Sequence, residues 1–98
     1  MAKTETVTTR TWDAAEHLKT EAAAAAYLQA SLEEGDTGLI MAALGDIARA
    51  HGMSEVARAA GLGRESLYKA LSKDGNPEFA TVLKVVQALG LKLTATAA

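Results

Sequence analysis

Apolar residues along this chain recur at intervals of three and four, which is the spacing of one helical face. Residues 1–11 are rich in threonine and lack this periodicity, so they are expected to form a flexible tail ahead of a single domain over residues 12–98. The pattern predicts an all-α fold. Its helices are predicted at about Ala14–Lys19, Glu21–Glu33, Thr37–Ala50, Glu55–Ala60, Arg64–Ser72 and Glu78–Leu89.

Residues suited to capping stand at the predicted helix ends. A side-chain oxygen before a helix accepts a backbone N–H of the first turn, and a glycine after it adopts the left-handed conformation. The predicted N-caps are Asp13, Thr20, Asp36 and Ser54, and the terminating glycines are Gly35, Gly52 and Gly61. Gly45 lies inside a helix, where it costs about 1 kcal/mol relative to alanine, and therefore predicts a close backbone contact.

The last predicted helix is apolar over a wider arc than one core face needs, so a second buried face is expected. Residues 91–94 alternate between apolar and polar and predict a short strand, which must pair with something to be stable. A homodimer would satisfy both, with the strands pairing across the interface. The interface residues predicted in this way are Val82, Val85, Val86, Leu89, Leu91 and Leu93.

Composition agrees with a helical fold, since 22 residues are alanine, 4% are aromatic and there is one proline. The absence of cysteine excludes disulfides, thiolate metal sites and a cysteine nucleophile. No apolar stretch approaches the ~18 residues of a membrane span, and no signal-peptide pattern opens the chain. The expectation is a cytoplasmic protein that does not enter a membrane.

The formal charge of −2 conceals an uneven distribution. Residues 1–48 carry three bases and eight acids, a net charge of −5, and residues 74–98 are neutral. Residues 49–73 carry five bases and two acids, a net charge of +3. An acidic first half and a basic centre predict two surfaces with different partners.

The basic centre has the spacing of a helix-turn-helix. In this interpretation Ser54 caps the first helix, Ala57 is small enough for the helices to cross, and Gly61 supplies the left-handed turn. Leu62 fills the space under the turn, while Leu67 and Leu71 anchor the second helix. The residues pointing away from that anchor would face the DNA groove: Arg64, Glu65, Ser66, Tyr68, Lys69 and Ser72. The plainer alternative is a helical hairpin with no DNA role.

Four blocks in this order resemble the addiction module antidote protein family, antitoxins similar to HigA with a DNA-binding domain of the Cro and lambda-repressor type. The blocks are residues 27–36, residues 42–53, the helix-turn-helix itself and residues 75–91. The resemblance covers about residues 13–93. It implies a compact domain of four to five helices, a homodimer, repression of its own operon, and a small basic toxin of the RelE or ParE type as partner.

The resemblance also implies DNA-contacting roles for particular residues. Arg64, Ser66, Tyr68 and Lys69 would contact bases and phosphates, and Lys73 a phosphate; Ser54 is suited to a phosphate as well. Glu65 either accepts from a cytosine amino group or is a solvated helix-terminal charge. Tyr68 either meets a sugar or a thymine methyl, or packs on its own domain. Gly63 stands where the family often has a serine cap, which glycine can replace.

Enzymatic activity is not expected. His17 and His51 lack partners at metal-ligand spacing, and no glycine-rich phosphate loop follows a strand. No catalytic residue, metal or cofactor is predicted. The main alternative to an antitoxin is an orphan or phage-type regulator with the same DNA chemistry and no toxin.

Overall fold

The computed structural model describes residues 18–98, where the chain forms five helices and no strand. The predicted tail, the predicted cap Asp13 and residues 14–17 of the first predicted helix lie outside the described residues. The prediction that this helix extends to Lys19 is wrong, because Leu18 and Lys19 form a turn. The helices are α1 (Glu21–Glu34), α2 (Thr37–His51), α3 (Met53–Ala60), α4 (Arg64–Ala70) and α5 (Phe79–Ala88). The all-α prediction is therefore confirmed over this range. A strand at residues 91–94 is absent from the single chain, and its formation across a dimer stays a prediction.

Most of the predicted helix ends are formed by the residues expected. The Thr20 hydroxyl accepts from the backbone N–H of Ala23 at 3.1 Å, and one Asp36 carboxylate oxygen accepts from Gly38 at 2.9 Å. Gly35 and Gly61 end α1 and α3 with φ of 76° and 72°, the left-handed region that glycine tolerates.

The prediction that Ser54 caps α3 is wrong. Gly52 precedes the helix, and α3 begins at Met53, so Ser54 lies one residue inside the first turn without a capping bond. Helix α4 ends two residues earlier than predicted, at Ala70 with Leu71 as its C-cap, and the other termini differ by one residue or agree, apart from the start of α3. Ser72 thus follows the helix, and its hydroxyl donates to the Lys69 carbonyl at 3.0 Å.

The core forms where α3 packs against α2, α4 and α5, while α1 packs along α2. Val56 of α3 is fully buried at its centre, and Leu67 of α4 meets the same cluster with no exposure. Because burying such a side chain contributes about 1.5–3 kcal/mol, these contacts fix α4 against α3. The other large side chains that are fully buried are Leu44, Ile47, Val85, Val86 and Leu89.

Gly45 makes the close contact that its place inside a helix predicted. A β-carbon at this position would lie 2.9 Å from the carbonyl oxygen of Leu71, at the end of α4. Real β-carbons do not approach a backbone atom so closely. The glycine therefore sets how near α2 lies to α4.

In the described part of the chain, no helix is both long and apolar enough to cross a bilayer.

Candidate nucleic-acid interface

Helix α4 presents one buried and one exposed face. Leu67 is fully buried, and Leu71 just after the helix is 4% exposed, so both anchor it as predicted. Val56 and Ala57 of α3 supply the surface on which that anchor rests. The exposed face carries the remaining predicted side chains: Arg64, Glu65, Ser66, Tyr68 and Lys69.

Two of these side chains contact each other. The Arg64 guanidinium carbon lies 5.5 Å from the centre of the Tyr68 ring, and an Arg64 Nη2 atom donates to the Tyr68 hydroxyl at 3.4 Å. They are one helical turn apart, where side chains meet on a helix surface. Tyr68 is 42% exposed, so this contact holds the guanidinium at the surface.

The loop after α4 places Lys73 beside the start of α2. The carbonyl oxygen and the γ-carbon of Lys73 each lie 3.4 Å from where a β-carbon on Gly38 would stand. The Gly75 N–H donates to the Ser72 carbonyl at 2.8 Å, which closes the loop tightly. The Lys73 side chain is exposed on this packed loop.

The five bases of the central segment divide into two groups. Arg58 pairs with Glu55 at 2.9 Å, and Arg49 pairs with Asp46, so the charge of each is matched within its own helix. Within residues 18–98, Arg64, Lys69 and Lys73 have no carboxylate within ion-pair distance. Within the central segment, residues 49–73, the unmatched bases therefore lie on α4 and its loop.

Ser54 and Glu65 are also predicted to contact DNA. Both lie on the surface, and no contact within residues 18–98 indicates a role for either. Ser54 is exposed in the first turn of α3, where backbone N–H groups and the helix dipole favour an anion. Glu65 is exposed in the first turn of α4, so both interpretations of this residue remain open. Contact of either residue with DNA stays a prediction.

The predicted dimer residues do not form one exposed surface. Val85, Val86 and Leu89 are at most 1% exposed, since they fill the core of their own chain. Val82, Leu91 and Leu93 are half-buried and retain area for a second copy. Sequence reasoning omitted Phe79 from the interface, although it is 66% exposed at the start of α5 and is the most exposed large apolar side chain described.

Another residue that the sequence interpretation did not assign is Asp46. It accepts a hydrogen bond from the Tyr27 hydroxyl at 2.7 Å, which links α1 to α2. This bond, with burial and the charge of Asp46, raises the pKa of Tyr27 above its ordinary value, while Arg49 acts in the opposite direction. The spacing of Asp46 and Arg49 on one helix was the signal for their pairing, whereas nothing in the sequence indicated Tyr27.

No group of three or more metal-ligating side chains forms among residues 18–98.

A family model described as "Probable addiction module antidote protein" matches residues 8–97 of this chain. An uncharacterized protein of Haemophilus influenzae (strain ATCC 51907 / DSM 11121 / KW20 / Rd) is 57% identical over 81 residues, covering 83% of this chain and 84% of that protein. No solved structure matches the chain. The match over almost the whole length means that the chain belongs to the probable addiction module antidote protein family.

Proposed function

We propose that this protein is the antitoxin of a type II toxin-antitoxin module, that it represses its own operon, and that it neutralises a toxin of the RelE or ParE type. The antidote family supports the toxin partner. DNA binding rests on the fixed, exposed α4 and on the three unmatched bases there: Arg64, Lys69 and Lys73. Such bases supply the phosphate contacts that dominate affinity for DNA.

In this proposal α3 and α4 form a helix-turn-helix of the lambda-repressor type. Helix α4 enters the major groove, with Arg64 toward the bases, held there by Tyr68, and with Lys69 and Lys73 toward phosphates. Ser54 in the first turn of α3 and Ser66 in the first turn of α4 add hydroxyl contacts. The protein acts in the cytoplasm, uses no cofactor and is not an enzyme.

We further propose a homodimer that places two α4 helices about 34 Å apart, one turn of DNA. Phe79 supports it, because its ring is two-thirds exposed and offers a large apolar area that a second copy would bury. Val82, Leu91 and Leu93 would extend the same contact. Sedimentation as a monomer at micromolar concentration in the presence of operator would contradict this arrangement.

Salt-dependent binding tests the DNA interface. The probe is a duplex from the region upstream of the protein's own gene, titrated at several salt concentrations. Each phosphate contact that is removed lowers the slope of log affinity against log salt by about one. Lys69→Ala and Lys73→Ala should each show this loss. Lys84→Ala is the matched control, since Lys84 is an exposed lysine of α5 without an ion pair in residues 18–98.

Unchanged slopes in both lysine variants would refute the choice of α4 as the DNA surface. The orphan-regulator alternative predicts the same salt dependence and no toxin. Co-expression with the product of the adjoining reading frame, followed by purification of a complex, distinguishes the two.

A further inference from the structure

An open apolar groove lies between α1 and α2, away from the proposed DNA surface. Its cavity volume is about 260 Å³. The small side chains of Ala30 in α1 and Ala42 in α2 keep the groove wide. Leu39 forms its α2 side, and Tyr27 and Glu34 lie on its α1 side. Leu39 is 44% exposed, although the rest of the apolar stripe of α2 packs inward. The groove is larger than cavities of ~150 Å³ that accept a small aromatic molecule.

The groove has a fixed width in the unbound chain. The Tyr27 hydroxyl donates to Asp46 at 2.7 Å and so joins the two helices beside it. Asp46 is held in turn by Arg49, one turn further along α2. A ligand that enters a site already held open loses less free energy to ordering of the site.

The surroundings of the groove are negative. Glu34 lines it, and Glu33 and Asp36 flank the turn that joins the two helices. In the part of the chain that the structure describes, none of these three carboxylates pairs with a base. The charge of Asp46 is matched by Arg49. The complementary ligand is therefore an apolar side chain carried on a basic segment.

The groove and the DNA surface lie on neighbouring faces of α2, with Ala42 at the border between them. Gly38 and Gly45 of α2 face Lys73 and Leu71, next to α4. Leu39 directly follows Gly38 and is turned from it by about 100° around the helix axis. A ligand in the groove is thus compatible with DNA on α4.

We infer that the α1–α2 groove is the docking site for the toxin, and that it receives an apolar side chain from a basic segment of that protein. The inference rests on the proposed antitoxin function, since that function supplies the toxin as a partner. The acidic charge beside the groove would speed the encounter, and the apolar contact would slow dissociation.

The test compares two arginine substitutions in α1. Ala30→Arg fills the groove and adds a positive charge, whereas Ala22→Arg makes the same change on an exposed position of the same helix two turns away. Both replace one good helix former with another, so the fold should be kept. The probe is the purified product of the reading frame adjoining this protein's gene, titrated against each full-length variant by calorimetry.

Ala30→Arg should weaken toxin binding at least tenfold, and Ala22→Arg should change it less than twofold. Leu39→Gln, which removes the apolar side of the groove without adding charge, should also weaken it. Affinity for the operator duplex should be unchanged in all three variants. Equal toxin affinity for Ala30→Arg, Leu39→Gln and the unmodified chain would overturn the inference, while operator binding and the toxin complex itself would stand.

Other occupants of the groove give distinct results. If Ala30→Arg converts a dimer into a monomer, the occupant is a second copy and the inference fails. If deletion of residues 1–17 shifts the NMR signals of Ala30 and Leu39 and leaves toxin binding unchanged, the occupant is the chain's own N-terminal segment and the inference again fails. If the adjoining gene product does not bind the unmodified chain, the toxin partner and the inference are both wrong.

Discussion

Gly45→Ala sets two effects of opposite sign against each other at the contact between α2 and the end of α4. Alanine inside a helix is favoured over glycine by about 1 kcal/mol. A β-carbon at this position would lie 2.9 Å from the Leu71 carbonyl oxygen and 3.7 Å from the Leu71 β-carbon. Extra atoms in a packed interior cost about 1–3 kcal/mol, and a backbone carbonyl cannot turn aside as a side-chain end can. Taking about 2 kcal/mol for the overpacking, we expect a net loss of about 1 kcal/mol.

Urea and thermal denaturation measure this loss. For a domain of this size, 1 kcal/mol corresponds to a fall in Tm of about 4–8 °C. Gly38→Ala is the matched control in the same helix, because its β-carbon would approach its neighbours no closer than 3.4 Å, an ordinary contact. It should be as stable as the unmodified protein or slightly more so.

A Gly45→Ala protein that gained about 1 kcal/mol would refute this reasoning, because helix propensity alone would then explain the result. The expected displacement of the Leu71 backbone should also affect DNA binding. Leu71 is the C-cap of α4, so any backbone shift that accommodates the new methyl group moves the proposed DNA-reading helix. Operator affinity should fall for Gly45→Ala even at temperatures where the protein is fully folded.

Three further substitutions test the local structure by denaturation. Asp36→Ala removes the cap of α2 and should cost about 1 kcal/mol, most of which Asp36→Ser should restore. Tyr27→Phe removes the hydrogen bond to Asp46 and should cost about 1 kcal/mol at pH 7. The folded-state pKa of Tyr27 is raised, so this stabilisation is present below about pH 10 and is lost as the pH rises through the folded-state pKa. The unfolding free energies of the Tyr27→Phe variant and the unmodified protein should therefore converge in alkali. A β-carbon added in Gly61→Ala would have no neighbour within 4 Å, so this variant should lose about 1–2 kcal/mol of stability from the left-handed backbone alone. Gly61→Asn should lose less, because asparagine tolerates this conformation better.

The helices and their ends were largely predictable because local chemistry determines them. Thr20 and Asp36 cap their helices with their own side chains, and Gly35 and Gly61 supply a conformation that other residues resist. The Ser54 prediction was wrong for the opposite reason. A residue suited to capping stands two positions after the actual N-cap, Gly52, which both ends α2 and precedes α3. Local signals of equal strength cannot be ranked without the tertiary packing.

The apolar pattern of α5 was harder to interpret, because periodicity shows that a face is buried without showing what covers it. Val85 and Val86 pack into their own chain, while Phe79 is left exposed.

The charge pattern had the same limitation. Five bases in the central segment gave its net positive charge, and the structure separates Arg49 and Arg58, which are paired, from the three bases that are not.

The contact between Arg64 and Tyr68 predicts that Tyr68 contributes to DNA binding through Arg64. A cation over an exposed aromatic ring is stabilised by about 0.5–1 kcal/mol. Holding the Arg64 guanidinium in this way should therefore raise operator affinity about two- to fivefold. Tyr68→Phe keeps the ring 5.5 Å from the guanidinium and loses only a 3.4 Å hydrogen bond, so its effect should be below twofold. Tyr68→Leu should show the full effect. The same change made in an Arg64→Ala protein should have no further effect, since the double-mutant cycle isolates the pair. An equal loss from Tyr68→Leu with and without Arg64 would mean that Tyr68 contacts the DNA directly.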